Sequence, residues 1–76
     1  MQIRSALQQA TQALASSSDS ARLDAELLLC KVLAKHRSYL FTWPEQELNS
    51  EHYAEFHSLV NQRLQGTPVA YLLGYR

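Results

Sequence analysis

The sequence has little of several residue types that mark particular protein classes, with one cysteine, two glycines and two prolines. A single cysteine excludes an internal disulfide and favours a reducing compartment, so we expect a cytoplasmic protein. Seven basic residues balance seven acidic ones, and this balance predicts neither a nucleic-acid partner nor an anionic membrane surface. No apolar run approaches the roughly 20 residues that span a bilayer, and the opening MQIRSALQQA lacks the apolar core of a secretory signal.

Reactive groups are also scarce. Gly66 and Gly74 both lie where helices are predicted to end, so no glycine-rich phosphate loop is present. No metal-ligand spacing relates the three histidines, which are His36, His52 and His57. We expect His57 to be partly buried and hydrogen-bonded, and Cys30 to be a packed core thiol, because a reactive cysteine needs exposure and a nearby cation. The sequence therefore predicts no catalytic, cofactor-binding or metal-binding residue in this chain.

The strongest pattern that is present is a helix over residues 20–34 that is apolar on nearly all sides. One stripe at helical spacing consists of Leu23, Leu27, Cys30 and Ala34. A helix of this kind lies inside a fold, so we expect this stripe to be buried and other helices to surround it. A length of 76 residues is enough for one small domain with a modest core, which we expect to be monomeric.

Residues 2–15 alternate apolar side chains with glutamines at helical spacing, which predicts an amphipathic first helix. The serine-rich residues 16–20 predict a loop that caps the central helix. Residues 38–43 (SYLFTW) predict a short helix that ends before Pro44. We expect its aromatic residues to fill the core, although an exposed binding surface is the alternative.

The C-terminal third of the sequence predicts one long and one short helix. The long helix begins after the N-cap Asn49 and ends at Gly66. Its apolar stripe consists of Tyr53, Phe56, Val60 and Leu64. Thr67 is expected to cap the short helix, with Pro68 at its first position and Gly74 at its end. The whole pattern predicts an all-α bundle of five helices, three longer and two short, in one domain over residues 1–76.

Two carboxylates, Asp24 and Glu26, fall among the apolar residues of the central helix. An unpaired carboxylate is costly to bury, so each needs a partner. Arg22 lies one turn before Glu26, and Arg63 lies on the flank of the long C-terminal helix. We hypothesise that one of these carboxylates pairs with one of these arginines and fixes how two helices cross, with solvated charges as the alternative. General acid catalysis is not predicted, because no second reactive group converges on them.

Two stretches carry a resemblance to a known family. Residues 66–76 (GTPVAYLLGYR) resemble the end of the N-terminal domain of the HemK/PrmC family, and residues 22–29 (RLDAELLL) resemble an earlier signature of the same family. Its members are S-adenosylmethionine-dependent methyltransferases that modify the glutamine of the Gly-Gly-Gln motif in bacterial peptide chain release factors. The resemblance implies a helical substrate-recognition domain whose partners are a release factor and the enzyme's own catalytic domain.

The same resemblance implies that S-adenosylmethionine and the Asn-Pro-Pro-Tyr motif belong to a catalytic domain that this chain lacks, so no cofactor is expected here. Tyr71 and Tyr75 flank Gly74 and are placed to face a neighbouring domain. Sister enzymes that methylate a large-subunit ribosomal protein have a similar Pro-Val-Ala-Tyr-Leu run, although the position of Gly74 is typically different there. A stand-alone helical interaction domain, with no enzyme after Arg76, is a further alternative. The sequence does not rank the exposed faces of the first and fourth helices as surfaces for the partner.

Overall fold

The computed structural model describes residues 1–74, in which the chain forms five helices. They are α1 (Ile3–Leu14), α2 (Ala21–Leu33), α3 (Arg37–Thr42), α4 (Ser50–Leu64) and α5 (Val69–Leu73). The predicted all-α class, with three longer and two short helices, is confirmed. α2 is the central element, because it packs against each of the other four helices. No helix in the described part of the chain is long and apolar enough to cross a membrane.

α1 turns the predicted face to the core. Its buried residues are Ile3, Ala6, Leu7, Ala10 and Leu14. The glutamines Gln8 and Gln12 lie on the exposed side of the same helix. Apolar and polar residues therefore separate cleanly at the helical period, and this separation fixes the orientation of α1 on α2.

α2 turns a different face to the core from the one the sequence predicts. Its buried residues are Ala21, Asp24, Ala25, Glu26, Leu28, Leu29 and Val32. The predicted stripe lies on the opposite side, where Leu23 is 41% exposed and both Leu27 and Cys30 are only partly buried. The prediction of a buried stripe there is wrong, because a helix that is apolar all round does not indicate which side its neighbours cover.

Hydrogen bonds at both ends of α4 confirm the predicted boundaries. The Asn49 side chain accepts a hydrogen bond from the His52 backbone N–H at 2.7 Å, which makes Asn49 the N-cap. Gly66 has a φ of +105°, and the Thr67 N–H donates to the Gln62 carbonyl at 3.1 Å. This pattern is the Schellman motif, which favours glycine because its left-handed residue carries no side chain.

Two other predicted caps are wrong. The Ser20 hydroxyl lies 3.3 Å from the Asp24 carboxylate and does not accept a hydrogen bond from a backbone N–H of α2. The buried carboxylate requires donors, whereas exposed N–H groups at a helix terminus can bind water. Pro68 occupies the N-cap position that was predicted for Thr67, and its carbonyl accepts from the Leu72 N–H at 3.1 Å.

The loop between α3 and α4 closes the N-terminus of α1. The Ile3 N–H donates to the Gln46 carbonyl at 2.9 Å, and the Arg4 N–H donates to the Pro44 carbonyl at 2.8 Å. No side chain caps α1. Backbone carbonyls from a distant loop therefore satisfy N–H groups of its first turn, and they join the start of the chain to its middle.

Candidate interaction surfaces

Within residues 1–74, no group of three or more His, Cys, Asp or Glu side chains is placed to hold a metal ion. His57 is exposed, so the prediction of a partly buried histidine is wrong, and its ring stacks on Tyr53 with centroids 6.0 Å apart. Cys30 is only partly buried and packs against the edge of the core, so the prediction of a packed core thiol holds in part. Burial raises the pKa of the Cys30 thiol, and the Arg37 guanidinium offsets part of that rise. A thiol with a raised pKa is a poor nucleophile at neutral pH.

Glu26 is held by two arginines. The Arg22 Nε lies 3.0 Å from Oε2 of Glu26, and the Arg37 Nη2 lies 2.9 Å from Oε1. Glu26 is only 3% exposed, whereas both arginine side chains are about half exposed. The predicted pairing of Glu26 with Arg22 is confirmed. Arg37 was not predicted, and it links α2 to α3.

Asp24 links α2 to α4. Its carboxylate accepts hydrogen bonds from the Ser18 hydroxyl at 2.7 Å and from the Arg63 Nε at 3.4 Å. The hypothesis that such a pair joins two crossing helices is confirmed. Every buried side-chain nitrogen and oxygen in the described part of the chain has a hydrogen-bond partner. The two buried carboxylates therefore serve the fold, since all of their neighbours are structural partners.

Two aromatic residues of the α3 region lie on the surface. Phe41 is 57% exposed and Trp43 is 54% exposed, so the prediction that they fill the core is wrong. Leu40 is the buried residue of α3, and Tyr39 packs partly against the core. A helix of six residues turns a single narrow side to its neighbours, which leaves the remaining aromatic side chains outside.

A shallow groove of about 210 Å³ runs between α1 and α4. Its floor includes Ala10 and Phe56, and Leu64 lies at its edge with 38% exposure. The Tyr53 hydroxyl donates to Oε1 of Gln9 at 3.3 Å and joins the two helices beside it. The groove lies where the first and fourth helices pack together, beside the exposed faces that the sequence did not rank.

A second cavity, of about 300 Å³, opens between α2 and α5. Leu27, Cys30 and Leu73 supply its apolar lining, and Lys31 and Lys35 line it as well. Leu23 lies one turn before Leu27 on the same side of α2. We call the surface formed by these six residues the α2–α5 face. Tyr71 of α5 is 78% exposed, and its contact with a neighbouring domain stays a prediction, whereas Tyr75 lies outside the described residues.

The family model for the PrmC N-terminal domain matches residues 5–74. The chain belongs to this family. The resemblance found in the sequence is thereby confirmed. One of the two stretches that carry it lies on α2 and the other contains α5, and these two helices pack against each other in this PrmC N-terminal domain.

Relatives of this PrmC N-terminal domain carry a consistent name. A release factor glutamine methyltransferase of Shewanella oneidensis is 51% identical over 74 residues, which cover 97% of this chain and 26% of the relative. A release factor glutamine methyltransferase of Vibrio cholerae is 51% identical over 75 residues, which cover 97% of this chain and 26% of the relative. A release factor glutamine methyltransferase of Coxiella burnetii is 43% identical over 76 residues, which cover 100% of this chain and 27% of the relative. The chain thus spans about a quarter of the length of these curated relatives. No solved structure matches the chain.

Proposed function

We propose that this chain is the substrate-recognition domain of a cytoplasmic, S-adenosylmethionine-dependent enzyme that methylates a glutamine of peptide chain release factors. The family match over residues 5–74 carries the proposal. The names of the relatives support a release factor, and not a ribosomal protein, as the substrate. In this proposal the catalytic domain follows residue 76 and supplies the groups that react.

A protein substrate gives a physical reason for a separate recognition domain. Transfer of a methyl group to one glutamine requires that its amide nitrogen be held close to the donor in a defined orientation. Contacts far from the reacting atom supply binding energy for this positioning. The uncharged groove between α1 and α4 and the lysine-lined α2–α5 face are surfaces of the kind that make such contacts.

The described residues do not fit the cofactor. S-adenosylmethionine supplies the methyl group of the proposed reaction, and its nucleoside needs an enclosed polar site. The groove between α1 and α4 and the cavity between α2 and α5 are open to solvent, and the carboxylates Asp24 and Glu26 already accept hydrogen bonds from serine and arginine side chains. We therefore assign no part of the methyl transfer to this domain.

The proposal is tested in the full-length enzyme and in a variant that lacks residues 1–74. We expect the deletion to raise KM for an intact release factor by about tenfold or more, which corresponds to roughly 1.4 kcal/mol of lost binding. KM for S-adenosylmethionine and the rate on a short glutamine peptide report whether the catalytic domain remains folded, and both should stay within about twofold.

Three results would contradict the proposal. Deletion without effect on KM for the intact release factor would remove the recognition role. Methylation of a ribosomal protein in place of a release factor would change the substrate. A natural chain that encodes no methyltransferase beyond Arg76 would leave a stand-alone interaction domain.

A further inference from the structure

Two of the seven basic side chains of this chain, whose net charge is zero, line a single cavity. The only two lysines in the sequence, Lys31 and Lys35, line the cavity between α2 and α5, and His36 lines it too. No acidic side chain of the described residues lines that cavity. Four of the seven carboxylates lie elsewhere, within residues 45–55.

Neither lysine is neutralised by a carboxylate within residues 1–74. The Lys35 ammonium lies 5.5 Å from the centroid of the Tyr39 ring, and Lys31 is exposed. Glu26 is engaged by Arg22 and Arg37. The α2–α5 face therefore presents two cations whose charge is available to a partner.

Apolar side chains adjoin these cations. Leu27 and Cys30 are partly buried, Leu23 is 41% exposed, and Leu73 of α5 completes the apolar lining. Lysines near a helix C-terminus stabilise the helix dipole, which explains their position along α2. The dipole does not explain the uncovered leucines beside them. Apolar side chains edged by cations are complementary to an amphipathic segment that carries Asp or Glu beside large apolar residues.

We propose that the α2–α5 face binds an acidic amphipathic segment of the release factor, an inference that rests on the proposed function. Unpaired exposed cations accelerate the encounter with a separate acidic molecule. A domain of the same chain needs no such steering. A second copy of this domain would bring the same lysines together across a two-fold interface, where they repel each other.

The test uses single charge reversals in the full-length enzyme. Lys31→Glu reverses one cation of the face, and Arg4→Glu makes the same charge change on α1, where Arg4 is exposed. We expect Lys31→Glu to raise KM for the intact release factor by about tenfold at low salt, with the increase shrinking as salt screens the charges. Arg4→Glu should leave that KM within about twofold, and the rate on a short glutamine peptide should be unchanged in both variants.

Cys30 provides a second readout, because it lies within the face. Excess release factor should slow maleimide labelling of Cys30 in the wild-type enzyme, as measured by mass spectrometry of the peptide that contains it. The Lys31→Glu variant should lose this protection at the same concentration of release factor. Protection that is equal in the two proteins would overturn the proposal.

Other outcomes overturn the proposal in distinct ways. Equal effects of the two charge reversals on KM would show that only net charge matters. A Lys31→Glu variant with a changed oligomeric state would identify a second copy as the occupant. A lower rate of the Lys31→Glu variant on the short peptide would indicate that the α2–α5 face contacts the catalytic domain. A wild-type enzyme that does not methylate the release factor would reject the proposed function itself, whereas normal methylation with an unchanged KM in Lys31→Glu rejects only the docking face.

Discussion

Glu26 carries one of the two buried charges of the central helix. Its buried carboxylate accepts hydrogen bonds from Arg22 and Arg37, and Glu26→Gln removes the charge while keeping the shape. We expect the free energy of unfolding to fall by about 1–3 kcal/mol, since hydrogen bonds to charged groups contribute that much. The lower half of that range is expected because the half-exposed arginines regain water when the charge is lost. Urea unfolding at neutral pH measures the change.

A matched control is available in Glu47, whose exposed carboxylate lies 3.0 Å from the N-terminal ammonium. Exposed ion pairs contribute little, so Glu47→Gln should change the free energy of unfolding by less than about 0.5 kcal/mol. Equal losses in the two variants would mean that burial does not strengthen the Glu26 pairs.

Cys30 gives a pH-dependent prediction. Burial raises the pKa of its thiol, so the folded chain holds less thiolate at pH 8 than an unfolded chain does. Iodoacetamide reacts with the thiolate, and alkylation of the folded protein should be slower than alkylation in urea. The ratio of the two alkylation rates should be largest at and below the ordinary thiol pKa and should fall as pH rises through the raised pKa. Alkylation rates at several pH values, with and without urea, measure it.

The same raised pKa has a consequence for stability. Because the unfolded chain releases the thiol proton at lower pH than the folded chain, the free energy of unfolding should decline as pH rises from the ordinary thiol pKa through the raised one. Cys30→Ala should remove this part of the pH dependence. An alkylation rate that is identical in the folded and unfolded chains would contradict the burial of Cys30.

At the scale of helices, α2 ends at an alanine in the left-handed backbone conformation, which glycine adopts more easily. Ala34 has a φ of +55°, and the Lys35 N–H donates to the Cys30 carbonyl at 3.1 Å, which is the pattern seen at Gly66. A side chain in this left-handed region is strained. Ala34→Gly should therefore raise the free energy of unfolding by about 0.5–1 kcal/mol, after the greater freedom of glycine in the unfolded chain is subtracted. Urea unfolding measures the change.

Ala54 is the control for this substitution, because it is exposed within α4. Glycine in a helix interior is destabilising, so Ala54→Gly should lower the free energy of unfolding by about 1 kcal/mol. Opposite signs for the same chemical change test the backbone conformation of Ala34 directly. A loss of stability in Ala34→Gly would show that its φ is not positive.

The helices also differ in how far sequence determines their orientation. In α1 the glutamines mark the exposed side, so its buried face is predictable. In α2 leucines occupy both sides, and the sequence does not distinguish the buried Leu28 from the exposed Leu23. That distinction depends on where α1 and α4 pack, which is information from distant parts of the chain.

The polar contacts also differ in how far the sequence predicts them. The cost of a buried carboxylate predicts that Asp24 and Glu26 need partners, and Arg22 is found one turn away in sequence. Arg37 lies beyond the end of α2, so its approach to Glu26 depends on the turn between two helices. Lys31 and Lys35 form no pattern in the sequence that predicts a binding surface. Their place beside an apolar cavity is known only once α5 is seen to pack against α2.

At the scale of the molecule, a small core leaves little stability to spare. Domains typically unfold with about 5–15 kcal/mol, and a chain of 76 residues buries a smaller fraction of its surface than a larger one. The loop that closes the N-terminus of α1 adds contacts between distant residues. Single substitutions in the core therefore affect the whole domain, whereas substitutions at exposed residues of the α2–α5 face should leave its stability nearly unchanged.

Two leucines of α2 allow the buried and the exposed side of this helix to be compared. Leu28 is fully buried and Leu23 is 41% exposed, so the same truncation to alanine has different costs. Leu28→Ala should lower the free energy of unfolding by about 2–5 kcal/mol, as buried leucines do, and Leu23→Ala by less than about 1 kcal/mol. Urea unfolding measures both. If Leu23→Ala proved as costly as Leu28→Ala, the face of α2 that packs in the core would be the opposite one, and the α2–α5 face would not be free to bind a partner.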